Sequence, residues 1–292
     1  MSGTLQIIVS GLIDGSVYAL IALGMTLVYS ISRVINLAQG GFVVLAALTA
    51  VSLQQHTGLA PLAVAAIVVV LFAGVLAVVD RVVVMPGSRR TTPERMLLVT
   101  VGLLQAIGGL LLLVWGNLPY TMRPFVPADA TVVGGVRISP QYYWIAGALA
   151  VSVLGLWLLL HRSPLGTVMR ATANNPTAAA LAGVNTDRVR LIAFSLSGAM
   201  AALAGTTIIP VTFLQFSTVT PYAVAGFIAA VAGGLGSSRG AVVGGFVLGL
   251  LQAVFGRYIS SEIAEVVAIG TLLLVLLFRP SGMFGKSSEV RR

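Results

Sequence analysis

Repeated apolar runs of roughly twenty residues dominate this chain and limit the folds open to it. An α-helix needs about 20 apolar residues to cross about 30 Å of hydrocarbon, and each segment must satisfy its own backbone hydrogen bonds there. Hydrophobic residues make up 58% of the 292 residues, and charged residues only 9%. We therefore predict an all-α, polytopic transmembrane helical bundle. Continuous apolar runs exclude a transmembrane β-barrel, whose strands alternate apolar and polar residues.

The apolar runs predict about eight or nine spans in a single transmembrane domain covering residues 1–292. Their approximate limits are 5–31, 35–53, 60–79, 96–115, 141–160, 190–209, 222–236, 240–256 and 263–278. The segments 222–236 and 240–256 are short and rich in glycine, so they form either two broken or short full spans or a re-entrant pair. Their glycines are expected to allow close packing of transmembrane backbones.

Lysine and arginine residues are concentrated at one predicted face of the membrane. Loops 80–95 and 161–190 and the tail after Phe278 hold four Lys or Arg each, and the turns at Arg33 and Arg239 add two more. Cytoplasmic loops carry an excess of these residues, so the pattern predicts a cytoplasmic C-terminus and an outward-facing N-terminus. The arginines do not form a basic face with interleaved aromatic residues, so no nucleic-acid partner is expected.

Residues that support catalysis or metal binding are scarce. The chain has no cysteine and two histidines, His56 and His161, which lie on opposite predicted faces of the membrane. We predict no catalytic residue, no metal site and no cofactor site, and do not expect an enzyme. The segment GMFGKS at 282–287 ends like a phosphate-binding loop but lacks the first glycine of that motif, so ATP is expected to bind elsewhere.

The one long polar interruption, residues 161–190, has the features of a mechanical element. Ser163 and Asn175 each precede a proline, and this pairing of a capping side chain with a first-turn proline predicts two short helices. Gly183 predicts the end of the second helix. That helix, TAAALA, carries mostly small side chains, so a partner can approach its backbone closely. Either it is a coupling helix, or it is a solvated loop whose alanines reflect helix propensity alone.

Five stretches, in order along nearly the whole chain, resemble the branched-chain amino acid permease family of ATP-binding-cassette (ABC) importers. One lies in the polar loop, where Thr177, Ala178, Ala179 and Gly183 resemble the EAA---G loop of ABC importer permeases, with threonine in place of glutamate. The other four are GLIDGSVYALIALGMTLVYS at 11–30, RVINLAQGGF at 33–42, GGLGSSRGAVVGGFVLGL at 233–250 and LFRPSGMFG at 277–285.

The resemblance implies the shorter of two permease subunits, in a bacterial inner (plasma) membrane. Its expected partners are two ATPase subunits that bind ATP, a homologous sister permease and a periplasmic or surface solute-binding protein, besides membrane lipid. The expected substrates are small amino acids of the branched-chain type. The ATPase-coupling residues that it implies are Arg170, Asn174, Asn175, Pro176, Thr177, Ala178, Ala179 and Gly183. The alternative is a self-contained channel or secondary carrier for a small solute such as urea or an amide.

Polar residues inside the predicted spans are candidates for the translocation path, because they are costly in hydrocarbon unless they serve a function or are paired. The candidates are Asp14, Asn36, Gln39, Thr100 and Gln252. Asp14 either faces a water-filled path or accepts hydrogen bonds from a neighbouring helix. Asn36 is expected to cap the helix that follows it, and Gln39 either caps that helix or lines the inner mouth of the path.

Overall fold

The computed structural model describes residues 2–90, 92–126, 130–133, 136–259, 261–279 and 282–285, which form twelve α-helices and one short β-hairpin. In chain order these are α1 (Ser2–Ser32), α2 (Gln39–Thr57), α3 (Pro61–Val79), α4 (Met85–Arg90), α5 (Pro93–Trp115), β1 (Thr131–Val133), β2 (Val136–Ile138), α6 (Gln141–Arg162), α7 (Pro164–Asn174), α8 (Pro176–Leu181), α9 (Thr186–Ile208), α10 (Val219–Gly233), α11 (Ser238–Tyr258) and α12 (Ser261–Phe278). The strands β1 and β2 pair antiparallel. A π-helical turn, Asp80–Val84, joins α3 to α4, and a 3₁₀ turn, Phe216–Thr218, leads into α10.

Seven helical stretches among the described residues are long and apolar enough to cross a membrane. They are Thr4–Ser32, Pro61–Ser88, Glu94–Trp115, Gln141–Arg162, Thr186–Ile208, Phe216–Gly233 and Ser238–Tyr258. Helices α2 and α12 have 19 and 18 residues, so the described chain has nine helices near membrane length, in line with the predicted eight or nine. Since Phe216–Gly233 and Ser238–Tyr258 both reach span length, they favour two full crossings over a re-entrant pair.

Helix α1 is the centre of the bundle and packs against α9, α10 and, most extensively, α11. Glycines make the α1–α11 contact possible: a Cβ added at Gly245 would lie 2.6 Å from the Cα of Ala19, and one added at Gly249 would lie 2.5 Å from the Cα of Gly15. Small residues let transmembrane backbones approach in this way. For Gly245, the predicted role in close packing is therefore confirmed.

The described turns that were predicted to share one face of the membrane lie at one end of the bundle, which we call the inner end. Lys286, Arg291 and Arg292 of the tail lie outside the described residues. Arg33, in the α1–α2 turn, donates from Nη2 to the carbonyl oxygen of Ala173 at 2.8 Å, so this turn meets the end of α7. The backbone amide of Phe284 donates to the carbonyl oxygen of Gly233 at 2.9 Å, so residues 282–285 return to the α10–α11 junction, next to Arg239 in the first turn of α11. The outer end carries the connection between α5 and α6.

Candidate functional site

The two helices of the polar loop begin where the sequence predicts. Ser163 Oγ accepts a hydrogen bond from the backbone amide of Gly166 at 3.0 Å at the start of α7. Asn175 Oδ1 accepts one from the amide of Ala178, also at 3.0 Å, at the start of α8. In each helix a proline occupies the first turn, where no intrahelical donor is needed.

Gly183 ends this helical pair, also as predicted. Its φ angle of +85° lies in the left-handed region, which side chains other than glycine rarely adopt. The amide of Val184 then donates to the carbonyl oxygen of Ala179 at 3.0 Å, the six-to-one bond of a Schellman motif. This conformation sets the direction in which the chain leaves α8 and enters α9.

The predicted coupling residues form an exposed surface, with one exception. Seven of the eight are exposed, namely Arg170, Asn174, Asn175, Pro176, Thr177, Ala178 and Gly183. Ala179 is instead 5% exposed and faces the protein body, so it anchors α8 and takes no part in that surface. Leu181 is 86% exposed and projects from the end of α8. Sequence reasoning did not single out Leu181, although its place beside three alanines marks it as the largest apolar side chain of α8.

Helix α7 fixes this surface to the bundle. Its residues Met169 and Thr172 are buried, and the carbonyl oxygen of Ala173 accepts the hydrogen bond from Arg33. Arg33 itself has a φ angle of +58°, which is uncommon outside glycine, Asn and Asp. The turn between α1 and α2 is therefore hydrogen-bonded to the end of α7.

An ion pair at the inner end makes a second connection to the bundle. Arg190 Nε lies 2.8 Å from Asp80 Oδ1, and Asp80 is only 1% exposed. Arg190 Nη2 also lies 3.4 Å from Asp187 Oδ1. Asp80 begins the π-helical turn after α3, a type of distortion that is frequent at functional sites, and Arg190 is in the first turns of α9. Sequence reasoning missed this pair, although both residues border loops on the same predicted face.

A cavity of about 480 Å³ opens between α1, α10, α11 and α12, away from the inner end. We call it the Asp14 cavity. Its lining residues are Asp14, Tyr18, Thr220, Pro221, Tyr222, Val224, Ala225, Gln252, Ala253, Gly256, Ala268 and Ile269. Two of the five predicted path residues, Asp14 on α1 and Gln252 on α11, thus meet in one cavity.

The Asp14 cavity is acidic and aromatic. Among the lining residues that the structure describes, Asp14 alone carries a charge, and no described basic residue forms an ion pair with it. Tyr18, one turn further along α1, meets Tyr222 of α10 edge to face, with ring centroids 6.4 Å apart. Aromatic faces attract cations, as a carboxylate does. The arrangement therefore suits a small molecule with a positively charged group. The helical spacing of Asp14 and Tyr18 is the sequence signal that could have identified the tyrosine.

Gln39 is fully buried between α2 and α9. Its Nε2 donates to the carbonyl oxygen of Ser197 at 2.9 Å, and its Oε1 accepts from Ser197 Oγ at 2.7 Å. Both bonds join α2 to α9. The structure therefore places Gln39 in a polar clamp between two central helices.

Thr100 braces the inner turn between α1 and α2, which contains Asn36. Thr100 is buried and its Oγ1 donates to the carbonyl oxygen of Ile35 at 3.1 Å. Asn36 is also buried, but its side chain does not cap α2, because Ala38 occupies the cap position and the helix begins at Gln39. The predicted capping role of Asn36 was wrong: the turn after Arg33 is longer than the apolar pattern indicated.

The sequence as a whole matches a known family of permeases. The family described as "Branched-chain amino acid transport system / permease component" matches residues 7–276. The chain belongs to this branched-chain amino acid permease family. It is 32% identical to the high-affinity branched-chain amino acid transport system permease protein LivH of Escherichia coli, over 97% of this chain and 96% of LivH. It is 30% identical to the corresponding protein BraD of Pseudomonas aeruginosa, with the same coverage.

Two further similarities are more distant. The ribose import permease protein RbsC of Escherichia coli is 33% identical over 47% of this permease and 44% of RbsC. A solved structure, PsaBC from Streptococcus pneumoniae in complex with Fab, aligns with a TM-score of 0.53 over 94% of this chain and 92% of the other, at 13% identity. That identity supports a shared fold alone.

Proposed function

We propose that this permease is the membrane subunit of an ABC importer and forms half of the translocation path for small amino acids of the branched-chain type. The observation that carries the proposal is the family match over nearly the full length of the chain, and the exposed α8 helix supports it. The relatives LivH and BraD bear names that state a branched-chain amino acid transport system.

The proposed assembly supplies what this chain lacks. Two ATPase subunits bind the coupling loops of the two permease subunits, which in this chain is the exposed surface of α7 and α8. A homologous sister permease completes the path, and a periplasmic or surface protein delivers the substrate. The inner end, with its arginine-rich turns, faces the cytoplasm, which also places the C-terminus there. The membrane is a bacterial inner (plasma) membrane.

Coupling follows from the two connections between the loop and the bundle. A push on α8 moves α7, and the Arg33 hydrogen bond passes the movement to the α1–α2 turn. The same push moves the start of α9, where the Asp80–Arg190 ion pair passes it to α3. Since α9 also packs on α1 and α2, these connections move the central helices together.

The Asp14 cavity is the proposed substrate-binding site within this subunit. A free amino acid carries an ammonium group, and the carboxylate of Asp14 with the two tyrosine rings supplies a site for it. Gln252 offers an amide that can donate to the substrate carboxylate. The volume of about 480 Å³ accommodates one small amino acid.

Reconstitution into liposomes tests the function. We expect no uptake of leucine, isoleucine or valine by this chain alone under a solute gradient, and ATP-driven uptake once ATPases, sister permease and delivery protein are added. Gradient-driven uptake by the isolated chain would support a secondary carrier and contradict the proposal.

A variant of the loop tests the coupling. Gly183→Val forces a branched side chain into a left-handed conformation, so we expect ATP hydrolysis to continue while uptake falls. Gly147→Val is the matched control, because Gly147 lies in α6 with open space around its Cα. An equal ratio of uptake to ATP hydrolysis in both variants would count against docking at α8.

A further inference from the structure

A second cavity, of about 510 Å³, lies at the inner end between α1, α6 and α11. We call it the Arg239 cavity. Its lining residues are Leu23, Val153, Leu156, Trp157, Leu160, His161, Ser237, Ser238, Arg239 and Val242. None of the functions proposed above uses this cavity.

The Arg239 cavity is polar at one end and apolar along its length. Ser237, Ser238 and Arg239 lie at the start of α11, and His161 lies near the end of α6, so the polar groups share the inner end. The apolar wall of α6 runs from Val153 to Leu160, a rise of about 10 Å at 1.5 Å per residue. This order, with polar groups at the membrane boundary and apolar groups deeper, matches a lipid of the inner leaflet.

The polar end of the cavity is basic. No lining residue is acidic, and Arg239 is exposed and forms no ion pair within the described part of the chain. His161 stacks on the ring of Trp157, with centroids 5.4 Å apart and planes inclined by 23°. Its Nδ1 lies 3.0 Å from the carbonyl oxygen of Trp157, which leaves Nε2 available for another partner.

The surface beside the cavity has the composition of a lipid-facing surface. Helix α6 exposes a broad apolar surface, formed by Val151, Val153, Leu154, Trp157 and Leu158. Leu23, which lines this cavity, lies two and a half turns after Asp14 on α1, and therefore on the opposite face of that helix. The Arg239 cavity thus opens away from the Asp14 cavity, onto a face suited to hydrocarbon.

We propose that the Arg239 cavity binds one anionic phospholipid of the inner leaflet. The phosphate lies at Arg239, within reach of Ser238 and His161, and an acyl chain lies along the α6 wall. Basic pockets between transmembrane helices on the cytoplasmic side bind acidic headgroups in this manner. A free phosphate ion would leave the apolar wall unoccupied, and a protein helix would leave the arginine without a counter-charge.

Native mass spectrometry of the purified full-length chain tests the proposal with phosphatidylglycerol and phosphatidylcholine of identical acyl chains. We expect one phosphatidylglycerol to bind more tightly than phosphatidylcholine, and Arg239→Gln to weaken phosphatidylglycerol binding about fivefold, the effect expected for one basic residue at an anionic headgroup. The matched control is Arg257→Gln, on the same helix α11 but at its outer end. Equal effects of the two substitutions, or no difference between the two lipids, would overturn the proposal.

The apolar wall needs its own test. We expect Trp157→Ala to weaken binding of both lipids, because it removes the ring that lines the cavity and supports His161. Inorganic phosphate alone should bind more weakly than the lipid. Binding of phosphate as tight as that of the lipid would contradict a lipid occupant. So would a cross-link from a Val153→Cys variant to the sister permease in the assembled transporter.

Discussion

Two carboxylates in span-length helical stretches, Asp80 and Asp14, have opposite surroundings. Asp80 lies at the inner end, 1% exposed, and is held by Arg190 at 2.8 Å. Asp14 lies far from that end, faces a cavity of about 480 Å³ and has no ion-pair partner among the described residues. An ionised group within a membrane protein needs a partner or water, so each arrangement indicates a different role. The carboxylate of Asp80 is paired with Arg190, whereas that of Asp14 is available to a ligand.

We therefore expect the paired carboxylate to act on stability and the unpaired one on transport. Removing one partner of a buried ion pair leaves an uncompensated charge, so changes at Asp80 or Arg190 are expected to act on folding and coupling. Changes at Asp14 are expected to act on the substrate. The following substitutions test this contrast, beginning with the largest effect.

Arg190→Ala is expected to lower the free energy of unfolding by about 3–5 kcal/mol, because it leaves the carboxylate of Asp80 buried without its counter-charge. Unfolding of the purified chain in detergent, followed by tryptophan fluorescence, measures this. The double variant Asp80→Leu with Arg190→Leu should recover most of the loss, since no charge is left buried. A double variant as unstable as the sum of the single variants would show that the pair is not the cause.

Asp14→Asn is expected to leave the free energy of unfolding unchanged or slightly higher, while ATP-driven uptake of leucine falls about 10–100-fold, the loss expected for a hydrogen bond to a charged group. Uptake in liposomes that contain the whole transporter measures this. Asp14→Glu is the control and should keep part of the activity, because it keeps the charge. Normal uptake by Asp14→Asn would remove Asp14 from the path.

A cation introduced into the Asp14 cavity should give Asp14 an ion-pair partner, as Arg190 does for Asp80. Val224 is partly exposed and lines the same cavity, so Val224→Lys places an ammonium group near Asp14. We expect uptake to fall, because the lysine occupies the substrate position. In this background Asp14→Asn should now lower the free energy of unfolding by about 1 kcal/mol, as for a partly exposed ion pair. An unchanged effect of Asp14→Asn would show that the two side chains do not meet.

Tyr222→Phe should have the smallest effect, a less than about threefold fall in uptake. The substitution removes a hydroxyl group but keeps the ring that meets Tyr18 edge to face, and the ring supplies most of the attraction for a cation. Tyr222→Leu removes the ring and should reduce uptake further. If the phenylalanine variant transports as poorly as the leucine variant, the hydroxyl contacts the substrate.

Local features of the chain were predictable wherever neighbours in sequence supply the interaction. Ser163, Asn175 and Gly183 form the caps and the stop of α7 and α8 within a few residues of themselves, so the sequence was sufficient to find them. Span limits were predictable for the same reason, because helix length and hydropathy are local. The cap of α2 was not, since the turn after Arg33 is fixed by its contact with the distant Ala173.

The amino-acid sequence by itself determined the membrane class, the approximate spans, the family and the two short helices of the polar loop. Only the tertiary structure showed that Asp14 and Gln252 share a cavity while Gln39 is clamped to Ser197, and that Asp80 has a counter-charge 110 positions away in Arg190. In the sequence, each of these residues is simply a polar residue within an apolar helix. Its role depends on which neighbouring helix faces it, and that is set by long-range packing through glycines such as Gly245 and Gly249.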